Sequence, residues 1–386
     1  MPHPSKRSEV EPFRAMDVLA RANALEASGR HILHMEVGQP GAAAPKPVLD
    51  AARAALDGGR LGYTEARGLP VLRDAIAGYY RDSFGAEVPT ERIIATTGSS
   101  AGFNLTFLAA FDPGDRIAIA APGYPAYRNI LRALGIEPVE IEVGPETRWA
   151  LTPELIEAAH REAPLKGVLV ASPANPTGTM MTPEALRTLI AACEDMGLWF
   201  ISDEIYHGLV FAGQQETALT FSDQTIVINS FSKYYCMTGW RIGWMVVPDV
   251  LVRPIERLAQ SLYISPPELS QRAAAAAFSA TEELEAVKAV YARNRALLVE
   301  RMPALGFDEM LPVDGAFYLY ASVRPFANDS TAFARSMLEE AGIAATPGAD
   351  FDPFQGTRFI RFSFAGTHED MREAMDRLGD WLPRQG

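Results

Sequence analysis

Lys233 stands in NSFSKYYCMTGWRIG, residues 229–243, between the apolar run TIVIN and a cluster of aromatic residues. The chain has five lysines (Lys6, Lys46, Lys166, Lys233 and Lys288) against 30 arginines, and of the five only Lys233 has such a setting. Burial lowers an amine's pKa and turns it into a usable base or nucleophile. The plain alternative is a long side chain snorkelling from an apolar bed to water. Other reactive types stand at the ends of other apolar runs. IIATT leads into Gly98-Ser99-Ser100-Ala101 and a helical pattern, where backbone N–H groups and two hydroxyls make an anion seat or an ordinary N-cap. IAIAAP leads into Gly123-Tyr124-Pro125, which offers a flat ring face or loop packing. VLVAS leads into Pro173-Ala174-Asn175-Pro176-Thr177-Gly178, strong turn chemistry in its own right. WFIS ends in Asp203-Glu204-Ile205-Tyr206, and an acid ending so apolar a strand needs a cation or donors. Arg241 lies between Gly239 and Gly243, which permit close backbone approach.

These positions are meaningful only if the elements bring them together. From about residue 90 to 250 the runs RIIATT, RIAIAAP, GVLVAS, LWFISD, TIVINS and IGWMVVP alternate with helical stretches. Continuous rather than alternating apolarity predicts strands covered on both faces of a mostly parallel sheet, an α/β arrangement. Ligands of such sheets bind outside the strands' carboxyl ends. TPEALRTLIAACEDMG has Thr182 to cap, Pro183 at the first turn and Glu184 for the dipole, and Cys193 falls on its core side. After about 280 a long helical stretch, TEELEAVKAVYARNRALLVERM, precedes GAFYLYASV and TRFIRFSFA, which predicts a smaller α+β domain. The first forty residues carry one helix, EPFRAMDVLARANALEASG, and a short strand, ILHMEV, expected to pack beside that second domain.

Bulk properties narrow the classes. A length of 386 residues suggests two domains. A net charge of −13 argues against a nucleic-acid backbone binder. No apolar run approaches a membrane span, the first residues lack a secretory apolar core, and two cysteines make no disulfide framework. A cytoplasmic protein is expected.

Read together, YTEARG, TTGSSA, PGYPAY, SPANPTG, SDEIY, SFSK, the arginine of GWRIG, and RFSFA resemble, in order, the pyridoxal-phosphate (PLP) aminotransferases of class I/II. The resemblance implies fold type I: a large domain, residues 41–280, on a mostly parallel seven-stranded sheet, and a smaller α+β domain from 1–40 plus 281–386. It implies that Lys233 bonds the cofactor and then moves the substrate proton, that Asp203 keeps the pyridine nitrogen protonated, and that Tyr206 and Asn175 donate to the ring's phenolic oxygen. Tyr124 would stack on the ring. Ser99, Ser100, Ala101, Ser230 and Arg241 would hold the phosphate, with Tyr63 reaching it from the other subunit of a homodimer. Arg361 and the Gly38 backbone would grip the α-carboxylate of the amino acid or 2-oxo acid substrate. Phe351-Asp352 departs from the Phe-Gly of many relatives and predicts a local loop change.

Rival readings remain at this level. Gly98-Ser99-Ser100-Ala101-Gly102 satisfies the G-x-S-x-G of a hydrolase nucleophile elbow, with Asp203, Asp350 or Asp352 and His368 following in triad order. No HGGG-type motif accompanies it. His31-x-x-His34 with Glu36 lacks the spacing of a helical zinc motif. A PLP-binding regulator would carry a DNA-binding N-terminal extension, which a short N-terminal segment and an acidic protein speak against. A PLP-dependent carbon–sulfur β-lyase shares every cofactor residue. The side chain of the substrate is not legible.

Overall fold

The computed structural model describes residues 3–384. Twelve strands form in chain order: β1 Leu33–His34, β2 Ile93–Thr96, β3 Arg116–Ala121, β4 Glu137–Glu142, β5 Gly167–Ala171 and β6 Trp199–Asp203, then β7 Ile226–Ser230, β8 Gly243–Val246, β9 Tyr318–Ser322, β10 Ile343–Ala344, β11 Thr346–Pro347 and β12 Phe359–Ser363. Seven of them make one sheet in the order β2-β8-β7-β6-β5-β3-β4. All pairs are parallel except those of β8, which is antiparallel to both β2 and β7.

Alternate residues of each central strand serve opposite cores. Val168, Val170, Phe200, Val227 and Trp244 enter the core on one face of the sheet. Leu169, Ile201, Ile226, Ile228 and Met245 enter the core on the other. Neither side meets water, so these strands read as unbroken apolar runs. The edge strand β4, EPVEIE, is half exposed and carries charge, a common way of blunting a sheet edge. It is absent from the sequence-based strand set for that reason.

The helices start where the residues direct. Pro183–Asp195 begins at Thr182, whose Oγ1 accepts the Ala185 N–H at 3.2 Å. Cys193 is buried within it. Pro125–Leu134 begins right after Tyr124, with proline in its first turn and Gly135 in the left-handed conformation at its end.

The C-terminal part has its own core, with Phe317, Leu319, Phe333, Ile360, Phe362 and Trp381 among its members. Its sheet is β11-β12-β9, all antiparallel. The strand expected at ILHMEV shortens to β1, which pairs in parallel with β10, so the N-terminal segment does join the C-terminal part. The long helix Thr281–Ala304 serves two cores: Leu284 packs with the large sheet, Tyr291 and Leu298 with the smaller one. No helix among the described residues is long and apolar enough to cross a membrane.

Candidate active site

Because β2, β3, β5, β6 and β7 run the same way, their carboxyl ends share one edge. β8 runs back and therefore begins at that edge, with Arg241 just before it. This single reversal puts Lys233, three residues past the end of β7, and Arg241 in one loop over the site.

A cavity of about 250 Å³ lies there. Ser99, Ser100, Thr238 and Arg241 line one end, while Tyr124, Asn175, Asp203, Tyr206 and Lys233 line its middle. Gly38 and Arg361 close the other end. Three expected members stand elsewhere. Ala101 is buried behind the helix start, its N–H donating to Gly98 O at 3.2 Å. Ser230 lies under the wall, its hydroxyl 2.9 Å from Ser232 Oγ, and Ser232 lines the cavity instead. Tyr63 is 84% exposed and does not reach the cavity of its own chain.

The anion seat depends on Gly98. Its φ is +78°, and a Cβ there would sit 2.3 Å from Arg241 Nη2. Arg241 is itself left-handed (φ 51°) and donates Nη1–H to Thr238 O at 3.1 Å, which aims the guanidinium at the start of helix Ser99–Ala110. Backbone amides, hydroxyls and a guanidinium there suit a phosphate.

Asp203 is 3% exposed. The Tyr127 hydroxyl donates to its Oδ2, and the Ile205 N–H donates to Oδ1 at 3.1 Å. Burial pushes its carboxyl up to about 6 against the pull of those donors. Among the described residues no cation lies within ion-pair distance of it. Lys233 donates from Nζ to Gly38 O at 2.5 Å. Burial first, then the Arg361 and Arg241 charges, push its amine down to about 8. Gly38 has to be glycine, since a Cβ would fall 1.8 Å from Tyr318 Oη. The Tyr318 hydroxyl in turn meets Tyr206 Oη at 2.7 Å. Burial keeps Tyr206 well above the ordinary phenol value and Tyr124 up at about 12, so both stay neutral donors.

Arg361 comes from the middle of β12 and is 3% exposed. Its guanidinium is held between the rings of Tyr318 and Phe351, 4.4 and 4.7 Å from their centroids. Nη1 donates to Asn175 Oδ1 at 2.8 Å, and Nη2 donates to Glu36 O and to Thr346 Oγ1. Every one of these acceptors is neutral, and no carboxylate among the described residues pairs with it. A buried guanidinium aimed into a cavity without a counter-ion is a seat for a planar anion.

The donor set fits PLP: an acceptor for a cationic ring nitrogen, an amine of lowered pKa, two phenols and an amide, and a phosphate seat, all around one cavity. Sequence reasoning missed Tyr127 and Tyr318, which position Asp203 and Tyr206. Tyr127 lay inside the quoted PGYPAY, one helical turn after Tyr124, and that spacing was its signal. Tyr318 read as one aromatic among several in GAFYLY.

Other readings lose ground here. Among the described residues no histidine lines the cavity, so Ser100 has no base, and His368 meets Asn294 Oδ1 instead. His34 pairs with Glu36 and Glu26 rather than with His31. The Asp352 departure is local: its Oδ1 accepts the Phe354 N–H at 2.8 Å in a turn.

The chain matches the family Aminotransferase class I and II over residues 30–378. It is 49% identical to the valine–pyruvate aminotransferase of Mycobacterium tuberculosis over 98% of each chain. It superposes on the crystal structure of an aminotransferase from Mycobacterium tuberculosis with a TM-score of 0.98 and 48% identity, covering 100% of both chains. For an aspartate aminotransferase from Thermus thermophilus solved with maleate, the TM-score is 0.92 at 32% identity, over 98% of this chain and 100% of that one. The chain belongs to the class I and II aminotransferase family, with its fold type I architecture, and transfers amino groups between amino acids and 2-oxo acids.

Proposed function

We propose that this aminotransferase works on PLP bonded to Lys233 and takes a donor with a short, uncharged side chain, with pyruvate-like 2-oxo acids as acceptors. The observation that carries the reading is the convergence on one cavity of a depressed amine and two buried, unpaired charges, Lys233, Asp203 and Arg361. PLP, when bound, supplies the electron sink for the pair released as the donor's Cα–H bond breaks. Lys233 Nζ, its proton affinity lowered by burial among cations, takes that proton in its neutral form and later returns it. Asp203 would accept a hydrogen bond from the protonated ring nitrogen, with Tyr127 holding the carboxylate in place. Asn175 turns its oxygen to Arg361, which leaves its amide N–H₂ to donate, beside Tyr206, to the ring's phenolic oxygen. Tyr124, which lines the cavity, would lie against the ring. Ser99, Ser100 and Arg241 hold the phosphate, with Ala101 and Ser230 shaping the seat from behind. Arg361 binds the α-carboxylate, and Gly38 O receives the amine end of Lys233 at the same site.

The lining supports the choice of donor. Apart from Arg241 and Arg361 it contains no arginine among the described residues, so a dicarboxylic side chain finds no further partner on its own chain. The valine–pyruvate relative agrees. Residues 261–267 do not line the cavity of their own chain. Together with exposed Tyr63 this supports a homodimer in which each subunit completes the other's site. Separate cores support two domains, 41–280 and 1–40 with 281–386, joined through helix Thr281–Ala304. Two buried unpaired cysteines are in keeping with a cytoplasmic location.

Borohydride reduction of the holoenzyme and peptide mapping should place the pyridoxyl label on Lys233. A donor panel should then show turnover of valine and alanine only when a 2-oxo acid is present. Release of pyruvate and ammonia from a cysteine-type donor without acceptor would favour the β-lyase.

A further inference from the structure

The helix Arg14–Ala27 has no cap of its own. Phe13 stands at its N-cap and offers no side-chain acceptor. The acceptor comes from the far end of the chain: Asp350, 2% exposed, takes the Arg14 N–H on Oδ1 at 3.0 Å and the Ala15 N–H on Oδ2 at 3.2 Å. Both oxygens of a buried carboxylate are thus spent on the positive end of one helix.

That contact sits at the substrate's edge of the site. Phe13, Ala15 and Met16 line the cavity that holds Lys233 and Arg361, and the Phe13 ring lies 5.9 Å from that of Tyr124. The turn Gly348–Asp350 is fixed from several sides. Arg128 Nη2 donates to Asp350 O at 2.7 Å, and the Gly123 N–H donates to Phe351 O at 2.9 Å. Gly348 packs so tightly that a Cβ would fall 2.5 Å from Gly356 O. The next residue, Phe351, lies on Arg361. The N-terminal segment before the helix is held much more lightly: residues 4–12 are exposed, with Glu11 O bonded to Asn129 Nδ2 at 2.9 Å.

We infer that Asp350 is a positioning residue for donor selection: by capping the helix from outside, it holds Phe13 and Met16 as the wall against which the donor side chain packs. The inference rests on the aminotransferase reading and concerns how one donor is preferred over another. A methyl side chain is too short to depend on that wall. A branched aliphatic one packs against it. An aromatic one is excluded by it.

The test is steady-state kinetics of the holoenzyme on L-alanine, L-valine and L-phenylalanine with 2-oxobutyrate as acceptor. Asp350→Asn keeps the volume but loses one of the two acceptors. Arg14→Pro removes one of the two N–H donors without touching Asp350. Proline is tolerated at the first helical position, and Phe13 (φ −77°, ψ 108°) already has the extended backbone that precedes proline. Arg14→Ala keeps the N–H and serves as control. The valine-to-phenylalanine ratio of kcat/KM should fall roughly three- to thirtyfold in Asp350→Asn and in Arg14→Pro, the rate equivalent of a lost cap. Alanine should change least, and Arg14→Ala should leave the ratio alone. An equal loss on all three donors, or an unchanged ratio in Arg14→Pro, overturns the inference. If Asp350→Asn does not fold, the Arg14 pair decides alone. Absence of turnover with every donor in the unmodified enzyme would instead strike at the aminotransferase reading.

Discussion

Asp203→Asn should make the apoprotein more stable while abolishing its function. Burial lifts this carboxyl from 3.8 to about 6, and one unit is worth about 1.4 kcal/mol, so the folded chain carries about 3 kcal/mol at neutral pH. The sign follows from proton counting. Between pH 3.8 and about 6 the folded state keeps a proton that the unfolded state has lost, so stability falls as pH rises through that window and stays reduced above it. Asparagine removes the charge. It also replaces one acceptor by a donor opposite the Tyr127 hydroxyl, which turns to accept, at an expense of about 1 kcal/mol. A net gain of about 2 kcal/mol above pH 7 should raise the apoprotein's melting temperature by roughly a few degrees. At pH near 4, where Asp203 is protonated anyway, the gain should vanish. Saturating PLP should reverse the order, because the ring nitrogen pairs with the aspartate alone. Scanning calorimetry of both proteins, with and without PLP, across that pH range decides it. An advantage that does not depend on pH, or a variant less stable than the parent above pH 7 without cofactor, would refute the reasoning.

Three further outcomes are expected. Only a neutral Lys233 attacks the cofactor's aldehyde, so the rate at which apoprotein gains its visible absorbance should climb with pH and level off above about 8; a flat profile between pH 6 and 9 would contradict the depressed amine. Arg361→Ala should weaken every amino and oxo acid by roughly 2–5 kcal/mol in kcat/KM whatever its side chain, whereas a loss confined to some side chains would make Arg361 a side-chain reader. Mixing Lys233→Ala subunits with Tyr63-impaired subunits should restore activity in verified heterodimers, since one of the two sites is then wholly unmodified; no recovery would count against shared sites.

What could be read from the chain depended on whether a residue's role is local. Asp203, Lys233 and Arg241 stand directly after or before strands, and in an α/β sheet that position alone brings them to one edge. Strands buried on both faces announced themselves as apolar runs, while β4 did not, because an edge strand carries Glu137, Glu140 and Glu142 where water allows them. Residues whose partner is distant in sequence were invisible. Tyr127 matters because its helix brings it under Asp203, Tyr318 because β9 lies beside β12, and Asp350 because a helix more than 300 residues earlier starts against it. Tyr318 and Asp350 read as ordinary packing until the tertiary contact is known, whereas Tyr127 had its spacing from Tyr124 as a signal. Tyr63 shows the converse: its motif was plain, yet a single chain leaves it in solvent.

The antiparallel insertion of β8 also has a meaning in time. In the large sheet β2 has one neighbour, β8, so the first of these strands to leave the ribosome has no hydrogen-bonded partner until residues 243–246 have followed. The anion seat at Ser99 and the guanidinium of Arg241 come together in that same event. Pairing over such a span is slow, because the loop-closure entropy is met before any contact rewards it. A truncated product that stops short of residue 243 would leave the apolar strand β2 without its hydrogen-bonded neighbour.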